Sequence, residues 1–417
     1  MEYIKEKSKL DINKKRKNGE VFTPSNLIND MLDKLPDDVW NNPNLKWLDP
    51  CAGIANFPFI IYERLMIGLK DIIRDDEKRK VHILTNMIYM VELDKDNCEH
   101  IKEIFKDYNI NLFEGSFFDY ESLVFDIIVV NPPYQELKQG NKQSKKIWHN
   151  ILYKCHNCLS DDGYLLPIHP CGWRDVKGMV RKIFDYNKQR NLIYLNMNSY
   201  NAGMKYFNCG TNFDYYLLQN TLTNNNITKI NDYDNLEYDI NLNEWEFIPN
   251  GMFSEIYKLL KGEELTDVIH DCKYHHNGWN VVDVIHDKSI YDTSRKYLSK
   301  TKTDTYKYPI VYFITKTYSV KLFYSCENRG HIGIPKVIWS NGSKCNPIVD
   351  EKGEYGLTNF AYAIVDDVDK LNDIKKALEN PYFIKLMSYC IFGKLERYNY
   401  KVMALFKKDF YKNLTIY

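Results

Sequence analysis

Through its first 220 residues the chain alternates short apolar runs of strand length with segments whose apolar residues recur at helical spacing. "LKWLD" (45–49), "MIYMVELD" (87–94), "INLFEG" (110–115), "FDIIVVN" (125–131), "GYLLPIH" (163–169), "NLIYLNM" (191–197) and "NFDYYLLQN" (212–220) read as strands. "FPFIIYERLMIGL" (57–69), the stretch from 95 to about 107, "IWHNILYKCHNCL" (147–159) and "WRDVKGMVRKIFDY" (173–186) read as helices. Strands alternating with helices of this length build an open, mostly parallel sheet covered on its faces. The expected class for this half is α/β, doubly wound and Rossmann-like. The Asn-rich, acidic segment "NTLTNNNITKINDYDNLEYDINLNEW" (220–245) breaks the alternation, and a domain boundary is expected there, giving domains 1–225 and 226–417. The second half, rich in Tyr and Lys with polar turns such as "SNGSKCNP", reads as α+β.

Bulk properties narrow the function classes. A chain of 417 residues can bury two cores. Lys+Arg and Asp+Glu balance at 56 each, so no overall basic charge advertises a polyanionic partner, although local patches could. No apolar run approaches the roughly 20 residues that cross a bilayer, and the charged N-terminus has no apolar signal core. Ten scattered cysteines fit reduced, mostly buried thiols, so no membrane partner and a cytoplasmic location are expected.

In open α/β sheets ligands bind beyond the carboxyl ends of the strands. The unusual residues fall there. The first strand runs into "DPCAGIANF" (49–57), a Gly-containing loop that opens a helix whose N-terminus favours an anionic group. The second ends in "VELDKD", where a carboxylate suits the two hydroxyls of a ribose. The fourth ends in Asn131-Pro132-Pro133-Tyr134. A residue before proline is held extended, and the prolines leave rigid carbonyl acceptors. The Asn131 side-chain oxygen and the Pro132 carbonyl can together accept both hydrogens of a planar –NH₂ group, and Tyr134 offers a stacking face. That is a receptor for an aromatic amine or an amide.

Taken in order, these segments resemble the gamma-type N6-adenine DNA methyltransferases of restriction–modification systems. The resemblance covers about residues 19 to 220. "GEVFTP" (19–24), with Thr23 and Pro24, is similar to the family segment that holds the methionine part of S-adenosylmethionine. "DPCAGIANF", with Asp49, Pro50, Gly53, Ala55 and Phe57, resembles its cofactor loop, and Glu92 stands in its ribose position. "EGSFFDY" (114–120) resembles its adenine-side loop, with Ser116 and Phe117 beside the cofactor. The "NPPY" string is its catalytic motif, with Asn131 also reaching the cofactor side. "YFNCGTNFDYYLLQN" (206–220) resembles the segment that supplies an aromatic against the flipped base, for which Phe207 is the candidate. By position alone, 226–417 would be a target recognition domain. The resemblance implies a site-specific DNA methyltransferase with S-adenosylmethionine as cofactor, double-stranded DNA as partner, no metal, and any cutting activity on a separate restriction endonuclease chain. Two positions depart from the pattern. The second loop glycine is Ala55, costly if φ must be positive. The acidic residue before the adenine-packing Phe is Ser116, which can accept without charge assistance. Weaker cofactor binding is expected.

Other features are read as ordinary. Cys171 in "HPCGW" is expected to be a small buried residue, not a nucleophile. Cys155 and Cys158, and the loose cluster Cys272, His275 and His276, lack the four-ligand spacing of a zinc site. Basic stretches at 138–146, 295–321 and 385–412 suit phosphate contacts and solvated faces equally. The same tetrapeptide would serve an RNA adenine or protein glutamine methyltransferase, since each substrate carries a planar –NH₂. A non-catalytic DNA-binding protein with a decayed cofactor pocket is a third reading.

Overall fold

The computed structural model describes residues 22–121, 123–136, 145–176, 178, 180–224, 227–260, 268–270, 298–328, 331–340, 346–358, 360–392 and 398–414. The chain divides into two compact units, Met1–Ile248 and Pro249–Tyr417.

The first unit is built on one nine-stranded sheet: β1 (Trp47–Asp49), β2 (Ile88–Glu92), β3 (Asn111–Glu114), β4 (Phe125–Val130), β5 (Leu159–Pro170), β6 (Arg190–Asn198), β7 (Phe213–Leu222), β8 (Ile227–Asn231) and β9 (Glu237–Asn241). Their spatial order is β3-β2-β1-β4-β5-β7-β6-β8-β9. The run β3-β2-β1-β4-β5 is parallel throughout, and β7 lies antiparallel to both neighbours. The central strands are buried on both faces, which is why β4 reads as an almost unbroken apolar run. Helices Ser25–Leu32, Asn56–Gly68 and Lys95–Ile104 contribute Met31, Ile61, Leu65 and Ile101 to the core. Asp94, at the end of the β2 segment, caps the last of them by accepting from the Asp96 and Asn97 N–H groups. Connections from β1 run one way to β2 and β3, and the chain then crosses to β4 on the other side of β1. In open α/β sheets such a reversal marks where ligands bind, here at the carboxyl ends of β1 and β4.

Two expectations are corrected. The helix read over 173–186 starts only at Arg181, after a 3-10 turn at Cys171–Arg174. Trp173 and Arg174 are drawn into the core by Asp214, which forbids a surface helix there. The segment 220–245 is not a linker. β8 pairs parallel with β6 and β9 antiparallel with β8, so the unit runs on to Ile248 and does not end at 225. Thr228 and Ile230 face inward while their neighbours face out, a period-2 pattern hidden among asparagines. The polar residues make the hairpin turn: Asp232 accepts from the Asp234 and Leu236 N–H groups, and Asn235 takes φ 59°.

The second unit carries two four-stranded sheets, one of β10 (Val268–His270), β17 (Ala361–Val365), β14 (Lys336–Ser340) and β15 (Ile348–Asp350) in that order. The other is β11 (Leu298–Ser299), β13 (Val320–Ser325), β12 (Tyr308–Ile314) and β16 (Gly356–Leu357). Helices Phe253–Leu260, Leu371–Glu379 and Pro381–Ser388 complete an α+β unit. Lys336 is wholly buried, satisfied by Asp350 at 2.8 Å and by the carbonyls of His331 and Ile334. Among the described residues no helix is long and apolar enough to cross a membrane.

Candidate active site

The carboxyl ends of β2, β1 and β4 lie side by side, with Leu48 paired to both Tyr89 and Ile128. Each ends in a residue expected at the site. After Asp49 the chain turns sharply through Pro50. The Cys51 N–H donates to Asp49 Oδ1 at 3.1 Å, and the Ala52 N–H to the Val91 carbonyl at 3.0 Å. Gly53 takes φ 55°, and its N–H donates to Glu92 Oε2 at 2.7 Å. Glu92 Oε1 accepts from the Asp94 N–H at 2.7 Å. The Glu92 carboxylate thus ties the first loop to the second strand. Ala55 is left-handed at φ 64° and heads the helix Asn56–Gly68, so the missing glycine falls at a position that does require positive φ. Phe57 faces the core beneath the loop.

Asp49 is 4% exposed. Burial lifts its carboxyl to about 7, the Cys51 N–H pulls it down, and Glu92 adds a smaller upward push.

Thr23 is buried, and Pro24 stands at the head of the helix Ser25–Leu32. The Thr23 carbonyl accepts from Asn56 Nδ2 at 3.1 Å, and its hydroxyl accepts from Asn131 Nδ2 at 2.9 Å. The Asn131 amide, the Asn56 end of the loop after β1 and the N-terminal segment therefore meet at Thr23. Pro132 is buried, and Pro133 and Tyr134 are half-buried. Burial, with the nearby charge of Asp214 next, pushes the Tyr134 phenol well above its usual range. Gln135 pairs with Lys146, and the Glu136 N–H donates to the Lys145 carbonyl. Of the basic stretch 138–146, only the exposed Lys145 and Lys146 fall within the described residues.

On the adenine side, the Ser116 hydroxyl accepts from the Phe118 N–H at 3.2 Å. Phe117 is buried, with Lys154 Nζ 4.8 Å from its ring centroid. Phe207, the candidate aromatic of the 206–220 segment, is partly buried and packs edge-on against Phe213 at 4.9 Å.

Three features escaped the sequence reading. Lys154 donates to the carbonyls of Phe117, Phe118 and Tyr120, stapling the adenine-side loop to the helix Trp148–Cys158. Nothing in a lone Lys on a helix announces this. Arg174 and Asp214 form a bidentate pair, both wholly buried, with Trp173 Nε1 also donating to Asp214 at 2.8 Å. The signal was an Asp at the start of an apolar strand. Leu93, 66% exposed beside the buried Glu92, is an apolar platform at a strand end. Cys171 is buried, which pushes its thiol up to about 11 and removes nucleophilic character at neutral pH. Cys155 and Cys158 are buried too, and no cluster of metal-ligating side chains occurs among the described residues. Cys272, His275 and His276 lie outside them.

Residues 59–202 match the Eco57I restriction-modification methylase family. The resemblance read from the motifs is borne out. The Eco57I-type segment includes Glu92, Ser116, Phe117 and the whole Asn131–Tyr134 string, while Thr23, the Asp49–Phe57 loop and Phe207 fall outside it. An uncharacterized adenine-specific methylase of Mycoplasma pneumoniae is 48% identical over 81 residues, 19% of each chain. The modification methylase CviBIII of Paramecium bursaria Chlorella virus NC1A is 27% identical over 165 residues, 38% of this chain and 39% of that one. The matches thus span about a fifth and about two-fifths of these relatives. The solved Type IIL restriction-modification enzyme MmeI in complex with DNA overlaps 88% of this chain and 65% of its own at 12% identity, with a TM-score of 0.48.

Proposed function

We propose that this chain is a site-specific DNA methyltransferase that methylates N6 of adenine using S-adenosylmethionine. The observation that carries the reading is the Asn131–Tyr134 string at the end of β4, with its amide hydrogen-bonded to Thr23, beside the loop that joins β1 to Glu92.

The residues present fit that cofactor. The loop is turned by two left-handed residues, Gly53 and Ala55, and heads a 13-residue helix. Glu92, an acceptor-only carboxylate with about four acceptor sites, suits a ribose diol. Thr23, Pro24 and the Asp49–Gly53 turn would hold the methionine end. Leu93, Ser116 and Phe117 would border the adenine. When bound, S-adenosylmethionine supplies an electrophilic methyl on a sulfonium.

The chain's own residues do the rest. The target adenine leaves the duplex at a cost of a few kcal/mol, offset by stacking on Tyr134. Phe207 is the proposed second stacking residue and must swing off Phe213 to serve. Asn131 Oδ1 and the Pro132 carbonyl accept the two N6 hydrogens, which directs the nitrogen lone pair toward the methyl. These are preorganised acceptors, and losing the Asn131 amide should cost roughly 3 kcal/mol of barrier. No covalent enzyme intermediate is needed. The second unit is proposed to read the DNA sequence, and a separate chain to supply any cutting.

Purified protein incubated with labelled S-adenosylmethionine and AT-rich DNA, then digested to nucleosides, tests this. Label in N6-methyladenine, formed on the order of 100-fold more slowly by Asn131→Ala, is expected. Label only in RNA or in protein amides would replace the substrate, and failure to bind the cofactor would overturn the enzymatic reading.

A further inference from the structure

We propose that Thr23 is a positioning residue for Asn131, setting which end of the amide faces the target amine. This rests on the adenine methyltransferase reading. A side-chain amide presents an acceptor oxygen and a donor nitrogen that are close to equal in shape, and only the oxygen can accept an N6 hydrogen. Asn131 Nδ2 donates to Thr23 Oγ1 at 2.9 Å, across 108 residues of sequence. That bond makes the nitrogen the end turned to Thr23 and the oxygen the end turned away from it. An amide rolled by half a turn would aim N–H at N–H, and the substrate would be repelled.

Thr23 is itself fixed. It is 4% exposed, and its carbonyl is held at 3.1 Å by Asn56 Nδ2, the first residue of the helix behind the cofactor loop. Pro24 follows with φ −65° and fixes the backbone at its carboxyl side. The acceptor therefore sits on rigid supports, as a preorganised site requires. A hydroxyl can also donate, so the orienting role requires that the Thr23 O–H be given to another acceptor, such as the cofactor end that Thr23 would hold. The hydroxyl then offers Asn131 only a lone pair, which excludes the rolled amide.

The test uses the full chain and the variants Thr23→Val, which keeps the branched shape and removes the acceptor, and Thr23→Ser, which restores it. Each is made alone and with Asn131→Ala. Thr23→Val is expected to lower kcat about 10- to 100-fold, as misorientation of a reacting group does. Thr23→Ser should recover most of it. In the Asn131→Ala background the further loss should vanish, because the two residues act as one unit. A neutron crystal structure of Thr23→Val, in which nitrogen and oxygen scatter differently, should show the Asn131 amide turned from its present orientation. An unmoved amide, or a kcat loss that adds in full to that of Asn131→Ala, overturns the proposal. If the unaltered protein methylates no adenine, the functional reading fails instead, and the crystallographic comparison still decides whether Thr23 sets the amide.

Discussion

Asp49 offers a prediction whose size follows from its surroundings. Its carboxyl is almost fully buried, and that burial lifts it from 3.8 to about 7. The unfolded chain ionises near the ordinary value, so between about pH 4 and 7 folding takes up a proton and stability falls as pH rises. Below that window both states are protonated and the penalty is absent. Above it the folded protein must hold a desolvated carboxylate, with the charge of Glu92 nearby. Each tenfold in the proton equilibrium is worth about 1.4 kcal/mol, so the full effect is roughly 4 kcal/mol. Asp49→Asn keeps the shape and the acceptor for the Cys51 N–H while removing the charge. The variant should exceed the unaltered protein by only about 1 kcal/mol near pH 4.5 and by about 2–4 kcal/mol near pH 8.5. Urea unfolding followed by tryptophan fluorescence is the assay, since the buried Trp47 lies two residues away on β1. Taking the difference between variant and unaltered protein at each pH cancels the other titrating groups. A difference that is flat from pH 4.5 to 8.5 refutes the reasoning.

Arg174→Met leaves Asp214 charged and wholly buried, and should destabilise the first unit by about 3–5 kcal/mol in urea. Replacing Asp214 with Leu as well should recover much of that, and a single variant of unchanged midpoint would contradict the pairing. Ala55→Gly removes a left-handed penalty of about 1–2 kcal/mol and adds back about 0.5–1 of chain entropy. A small rise in Tm is expected, and a fall would mean the φ of 64° is not under strain. Lys154→Met keeps the stem but loses three carbonyl contacts, so amide exchange across 116–120 should accelerate at least tenfold and cofactor affinity should drop. Unaltered exchange would show that the loop stands without the ammonium.

The parallel core and the strand ends were legible because their signals are local. β4 ends where the apolar run meets Asn131, and a doubly wound sheet places such ends on one edge. Ala55 was flagged from sequence because a loop glycine position tests φ directly, and the backbone there is left-handed. The boundary at 225 was misplaced for an equally local reason. Asn and Asp usually mark loops, but β8 buries only Thr228 and Ile230 on its inward face, β9 forms the sheet edge beside it, and the polar residues between them close a turn. Phe207 was an aromatic in the right segment, but whether a ring faces a pocket or Phe213 is a matter of packing.

By itself, then, the chain's order of residues determined the sheet's parallel core and the chemistry at its strand ends, since strand length, turn residues and a rigid Asn-Pro-Pro-Tyr string are properties of neighbours in sequence. Only the tertiary structure decided which distant groups meet. Thr23 reaches Asn131, Gly53 reaches Glu92, Lys154 caps the carbonyls of Phe117, Phe118 and Tyr120, and Arg174 finds Asp214. Hydrogen bonds and ion pairs act over about 3 Å, and separations of 34 to 108 residues along the chain are brought within that reach only by the fold.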